Sequence, residues 1–285
     1  MSNYPEELQA MRSNPKFIFF TDFDGTITLE DSNDYMTDNI GYGVEKRRQG
    51  NKDTFDNKIT FRDSFKEMMD SISTPYPECV KLLVSHIKLD PYFTKWLEYA
   101  RANNIPTVVL SSGMEPIIKA LLKNLVGEEL SKDIQVIANN VAARPGKTLE
   151  DEGGWEIVFH DESGFGHDKS RAIRPYAKLP EGERPIMFYA GDGVSDLSAA
   201  RETDLLFAKQ GRDLVNWCIK EDVPFTVFDD WETIVNGVRK IVEGKTTVQE
   251  AAKEGYKLHM ASLSKGPSGA LKQHQAGNTT PHIQD

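Results

Sequence analysis

The sequence predicts an α/β fold: a mostly parallel sheet covered by helices on both faces, with a helical insertion after the first strand. Three observations carry this expectation. Short apolar runs, FIFFT at 17–21, TVVL at 107–110 and IMFYA at 186–190, each stop abruptly at a polar, glycine-containing loop, as buried strands do. Amphipathic helical stripes separate these runs. Between the first run and the second, residues 32–103 read as helix, too long for a single crossover.

The elements follow in order. After FIFFT, Phe61, Phe65, Met68 and Ile72 recur at helical spacing, as do Val80, Leu83, Val84 and Ile87, and then Phe93, Trp96, Leu97 and Ala100. These stripes are expected to pack among the inserted helices. TVVL runs into SSG and a helix with Ile117, Ile118, Leu121, Leu122 and Leu125. IQVI is a further strand, RPGKTLEDEGG the turn of a hairpin, and WEIVFH its return. IMFYA enters GDGVSD, LLF precedes GRDLVNWCIK, and PFTVF precedes a helix with Trp231, Ile234, Val235, Val238 and Ile241. The expected organisation is a sheet core at 1–29 and 104–250, an insertion at 30–103, and a tail at 251–285. The tail expectation rests on the Ser, Gly, Gln, Asn and Thr content beyond about Gly255, which cannot offset the entropy of ordering.

Composition removes several classes of function. With 39% hydrophobic and 27% charged residues the chain has ordinary globular usage. Its formal net charge of −10 gives no general attraction to nucleic acid or anionic membrane. No run of eighteen apolar residues occurs and the first residues are too polar for a signal peptide core, so a cytoplasmic location is expected. Cys79 and Cys218 match no metal or redox spacing and are expected to be buried thiols.

The chemistry should sit beyond the carboxyl ends of the strands, near the switch point of an open α/β sheet. Strand one delivers Asp22 and Asp24, TVVL delivers Ser111 followed by Ser112, and IMFYA delivers Asp192 and Asp196. Carboxylates clustered there would repel by about 4 kcal/mol per pair at about 4 Å and an effective dielectric of about 20, so the cluster needs a cation. Oxygen ligands without His or Cys favour Mg²⁺, which accepts phosphate oxygens readily. Ser111 can donate to a phosphoryl oxygen, although either serine could instead cap the helix that follows. Lys169, in GHDKS, is the leading candidate to complete the charge balance, with Lys178 and Arg171 as competitors. His160 and His167 are assigned no chemistry.

These parts resemble the haloacid dehalogenase superfamily of aspartate-based phosphatases from residue 17 to about 245: DFDGTIT as first motif, the Ser111 loop as second, Lys169 as third and GDGVSD as fourth. The resemblance implies a Rossmann-like parallel-sheet core and makes the insertion a helical cap of the phosphoserine-phosphatase-like branch. Within that branch TLEDSNDYMTDNIG, LSSGMEPII and FGHDKS look like fungal enzymes acting on small sugar or polyol phosphates. It further implies Asp22 as nucleophile and Asp24 as acid and base. By the same resemblance Mg²⁺ is held by Asp22, the Asp24 backbone carbonyl and Asp192, phosphoryl oxygens by Ser111, Ser112 and Lys169, and Asp196 stands behind Lys169 or a metal-bound water.

The cap bears on the substrate. Asp31 stands nine positions after Asp22, where phosphoserine phosphatases place an acid for the substrate amine, and Met68 stands where they place an arginine for its carboxylate. Met cannot bind a carboxylate, and losing a charge-assisted contact of ~1.5–3 kcal/mol favours a neutral polyhydroxylated leaving group, unless Arg47, Arg48 or Arg62 compensates. The expected partner is thus a small phosphorylated metabolite. A phosphomutase or phosphotransferase on the same scaffold, and a catalytically silent binding protein, are the alternative functions.

Overall fold

A computed structural model describes residues 4–221 and 223–264. Among the described residues seven strands form one sheet in the order β4-β3-β2-β1-β5-β6-β7. They are β1 (Phe17–Thr21), β2 (Thr107–Met114), β3 (Ile134–Ala143), β4 (Trp155–Val158), β5 (Ile186–Gly191), β6 (Leu205–Lys209) and β7 (Phe225–Phe228). All neighbours are parallel except β3 and β4, which form the expected hairpin.

β1 is central and sheds side chains to both faces. Phe19 packs with Trp96, Phe188, Phe207 and Trp231 on one face, whereas Ile18 and Phe20 pack with Leu110, Tyr176 and Tyr189 on the other. A strand buried on both sides must read as a continuous apolar run, which FIFFT does. Because the chain passes from β1 to β2 on one side and returns to β5 on the other, the loops after these three strands converge.

The insertion comprises α1 (Ser32–Ile40), α2 (Val44–Phe55), α3 (Phe61–Asp70) and α4 (Tyr76–His86). It leaves and re-enters through a two-chain stem: Thr28 bridges Leu89, Leu29 N–H donates to Lys88 O, and Asp90 N–H donates to Ile27 O. Asp90 then accepts the Trp231 N–H, and Trp231 Nε1–H donates to Thr26 O, which ties the stem to the core. The helix α5 (Phe93–Ala102) lies beyond this stem and packs on the sheet. The Trp96 ring packs at a tilt 4.4 Å from that of Phe19, and its Nε1–H donates to Thr107 Oγ1. The cap therefore ends near Leu89 rather than at 103. Periodicity revealed an apolar face on α5 but not the surface that covers it.

The remaining helices are α6 (Glu115–Val126), α7 (Glu128–Ser131), α8 (Lys169–Ala177), α9 (Leu197–Ala200), α10 (Asp213–Lys220), α11 (Trp231–Val242) and α12 (Val248–Ser264). Part of the expected tail is thus ordered: α12 runs through Gly255 and docks on the edge strand β7. Gly255 lies against Thr226, where a Cβ would collide with the Thr226 backbone, and Phe225 meets the rings of Tyr256 and His259 at 6.4 and 5.9 Å. Ala251 and Ala252 pack against the core. A docking face of small residues is nearly invisible to a hydrophobicity reading yet permits close helix-to-sheet approach. Residues 265–285 lie outside the described residues.

Gly255→Val should overpack this contact and cost about 2 kcal/mol, or roughly 4–8 °C in Tm. The exposed substitution Glu254→Ala on the same helix should change Tm little. Thermal denaturation of both variants checks the docking, and equal Tm values would contradict it.

Candidate active site

The end of β1 starts the site. Asp22 N–H continues the ladder to Ala190 O at 2.8 Å, Phe23 turns fully into the core, and the Phe23 carbonyl collects the N–H groups of Thr26, Ile27 and Thr28. This tight loop carries Asp22 and Asp24 on either side of one anchored phenylalanine, each 7% exposed. Gly25 completes the turn at φ +72°, and a Cβ there would collide with Asp192 Oδ2. Both the backbone conformation and the approach of Asp192 require glycine.

Lys169 is the residue to which the acids converge. It opens α8, whose N-terminus is capped by Asp168, and its side chain is 1% exposed. Its Nζ donates to Asp22 Oδ1 at 2.7 Å and to Asp196 Oδ1 at 2.6 Å. Asp196 also accepts from Tyr189 Oη at 2.6 Å through Oδ1, and from the N–H groups of Asp192 and Gly193 through Oδ2. Four donors satisfy both oxygens of Asp196. The competitors for this position lie elsewhere: Lys178 is exposed, and Arg171, about half exposed, pairs loosely with Asp168 and Asp161.

Asp24 faces the cap. Its Oδ1 accepts the Ser32 N–H at 2.8 Å and its Oδ2 accepts from Asn33 Nδ2 at 2.9 Å, so the first turn of α1 grips the carboxyl. Asp31 is the N-cap of that helix, accepting the Asn33 and Asp34 N–H groups. Asn33 is a site residue that sequence reasoning missed; its signal was its place inside TLEDSNDYMTDNIG.

Ser111 and Ser112 sit where β2 leaves its ladder with β3: the pairing runs to Ser111↔Ala138 and resumes at Met114↔Asn139. Neither serine caps α6, whose N-cap is Met114 without a side-chain bond. Ser111 Oγ accepts the Gly113 N–H at 3.0 Å, which leaves its own proton free to donate. Ser111 Oγ, Asn33 Nδ2 and Asp24 Oδ2 all lie 3.2–3.3 Å from the point a Cβ would occupy on Gly113, so the Ser111 and Asp24 loops meet there. Ser112 Oγ is buried without a hydrogen-bond partner among the described residues.

A cavity of about 330 Å³ opens beside Gly25 and Asp192 and runs along α1, past Asp31, Asp34 and Tyr35 to Arg212. Asp34 and Asp38 both pair with Arg47 at 2.7 Å. The expectation for Met68 is corrected. It is 4% exposed in the apolar core with Phe65 and Ile72 and does not line this cavity. The stripe that made α3 amphipathic also claims Met68 for packing.

The electrostatics of the acidic group are strained without a cation. One carboxylate oxygen each from Asp22, Asp192 and Asp196 lies within 4.8 Å of the others. Burial raises Asp22 to about 7, with Lys169 lowering it and Asp196 raising it further. Burial, then Asp22 and Asp196, push Asp192 well above the carboxylate range, and burial and Asp31 do the same to Asp24. Burial works against the Lys169 ammonium, yet Asp196 and Asp22 hold its pKa above the ordinary value. Asp196 is already satisfied, so Asp22 Oδ2 and the Asp192 carboxylate are the acceptors left to a metal. That hard, all-oxygen set fits a divalent cation.

A carboxyl whose folded pKa is raised binds more protons folded than unfolded, so its contribution to stability is lost as pH rises. For Asp22 that loss spans the interval from the ordinary aspartate value of 3.8 to about 7. Metal-free protein should therefore lose stability across this interval, and Asp192→Asn, lacking one repelling charge, should lose less. Calorimetry in chelator tests this; parallel Tm curves for the two proteins would contradict it.

Comparison with known proteins agrees with this geometry. The haloacid dehalogenase-like hydrolase family matches residues 19–201. The chain is 50% identical over 241 residues to the polyol phosphate phosphatase PYP1 of Saccharomyces cerevisiae, covering 82% of this chain and 98% of that one. It is 46% identical over 231 residues to Pdp3-interacting factor 1 of Schizosaccharomyces pombe, covering 81% and 98%. A phospho-aspartyl intermediate analogue of phosphoserine phosphatase shares the fold, with a TM-score of 0.58, 19% identity, and coverage of 78% of this chain and 98% of that one. The chain belongs to the haloacid dehalogenase-like hydrolases.

Proposed function

We propose that the protein is a Mg²⁺-dependent phosphomonoester hydrolase acting on a small polyol or sugar phosphate through an aspartyl-phosphate intermediate. The observation that carries this reading is the buried Lys169 ammonium between Asp22 and Asp196. It occupies Oδ1 of Asp22 and leaves the other oxygen without a side-chain donor among the described residues, in a carboxyl group that clusters with Asp192.

In this reading Asp22 Oδ2 attacks phosphorus and the bond from phosphorus to the leaving oxygen breaks. Asp24, whose pKa burial raises in favour of the protonated form, donates its proton to the departing alkoxide. Asp24 then accepts a proton from the water that attacks the acyl phosphate, releasing inorganic phosphate and regenerating Asp22. Ser111 donates its free hydroxyl proton to a phosphoryl oxygen, and Lys169 opposes the negative charge of the transferring group. Mg²⁺ would be held by Asp22, Asp192 and the Asp24 backbone carbonyl, and would neutralise charge on the phosphoryl group.

Two observations support the leaving group. The cavity along α1 presents the carboxylates of Asp31, Asp34 and Asp38, which accept hydrogen bonds from hydroxyl groups and repel a second anion on the substrate, with Arg212 at its far end. The relative at 50% identity is a polyol phosphate phosphatase.

A phosphate-release assay over polyol, sugar and amino-acid phosphates tests the proposal. Wild type should release inorganic phosphate, favouring polyol or sugar phosphates over phosphoserine, whereas isomerised substrate without release would point to a phosphotransferase. Chelation should abolish turnover, Mg²⁺ should restore it, and Ca²⁺, with its longer and more numerous bonds, should not. Asp22→Asn should lower kcat by on the order of 10³-fold or more; near wild-type turnover would refute the covalent route.

A further inference from the structure

Ser112 and Gly113 stand outside the β2–β3 register, and a bulge of this kind strips backbone groups of their ladder partners. Two buried side chains without an assigned role bond the carbonyls at this break, one at the last residue in register and one inside the bulge. His167 Nδ1 lies 2.8 Å from Ser111 O, and Asn139 Nδ2 donates to Ser112 O at 2.6 Å. Asn139 Oδ1 in turn accepts the His160 N–H at 2.8 Å, and the His160 ring packs 4.5 Å from the His167 ring. His167 is 1% exposed and Asn139 is fully buried.

A carbonyl oxygen only accepts, so the His167 proton resides on Nδ1. Burial depresses the ring's pKa to about 4, with the Ser111 carbonyl opposing the shift, so the imidazole is a neutral donor. His167 also lies two residues before Lys169. One short segment therefore carries the ammonium and grips the loop that presents Ser111.

We propose that His167, assisted by Asn139, is a positioning residue: its Nδ1–H holds the Ser111 carbonyl so that the bulge aims Ser111 Oγ at the phosphoryl group in register with Lys169. This rests on the phosphatase reading for its consequence in turnover, but the clamp itself predicts phosphate binding independently. Losing the bond leaves Ser111 Oγ free to drift, and small displacements of a positioning group carry large rate penalties.

The test compares His167→Asn with His167→Gln. Both place an amide in the same buried site, but the Asn amide nitrogen falls near Nδ1 and the Gln nitrogen near Nε2. The readouts are kcat/KM on the best phosphomonoester and the dissociation constant of inorganic phosphate by calorimetry in Mg²⁺, with Tm recorded alongside. The Gln variant should be about tenfold worse than the Asn variant in both. In a Ser111→Ala background the gap should shrink below about threefold, because the clamp acts through Ser111. Equal Asn and Gln variants, or a gap that persists without the Ser111 hydroxyl, overturn the proposal. Wild type that binds inorganic phosphate but hydrolyses no phosphomonoester overturns the phosphatase reading alone, and the binding comparison still decides the clamp. Wild type that does neither overturns both.

Discussion

A single buried ammonium organises this molecule's chemistry. Lys169 links the end of β1, the start of α8 and the loop after β5 by donating to Asp22 and Asp196. None of these three groups can be left unpaired where it lies, since breaking a buried ion pair from one side costs about 3–5 kcal/mol. The arrangement is possible because β1 lies between β2 and β5, so strand ends far apart in sequence open into one crevice. Tyr189 and two backbone N–H groups complete the hydrogen bonding of Asp196, whereas Asp22 meets Lys169 through Oδ1 alone.

The same burial that makes the site useful makes it unstable alone. Asp22, Asp24 and Asp192 are held together by the packing of Phe23, by the turn at Gly25 and by the first residues of α1, not by mutual attraction. The cap is thereby coupled to the core chemistry: the helix that grips Asp24 also lines the cavity beside it. Its stem is fixed in turn by Asp90 and Trp231, so α1 enters the site from a rigid base.

Much of this was legible in the sequence because it is local. Strands that end in DFDGT, SSG and GDGVSD announce both the sheet and the polar residues at its switch point, and Lys169 stood out as a cation at a helix start. What the sequence concealed depends on distant surfaces. The stripes of α3 and α5 both follow helical periodicity, yet one packs among the inserted helices and the other on the sheet. Met68 looked like a substrate position by alignment and is packed by its own helix face. α12 docks through Ala251, Ala252, Gly255, Tyr256 and the buried His259, a pattern with little hydrophobic contrast. Asn33, Tyr189, Asn139 and His167 matter through partners 7 to 56 residues away.

The most direct test is a double-mutant cycle between Lys169→Met and Asp196→Asn, followed by urea unfolding of the metal-free protein. If the ammonium is the common partner of the buried acids, each single variant strands a group that the double variant partly relieves. The double variant should then be less destabilised than the sum of the singles by about 2 kcal/mol or more. Additive losses would show that Lys169 and Asp196 are stabilised independently, and would contradict the account.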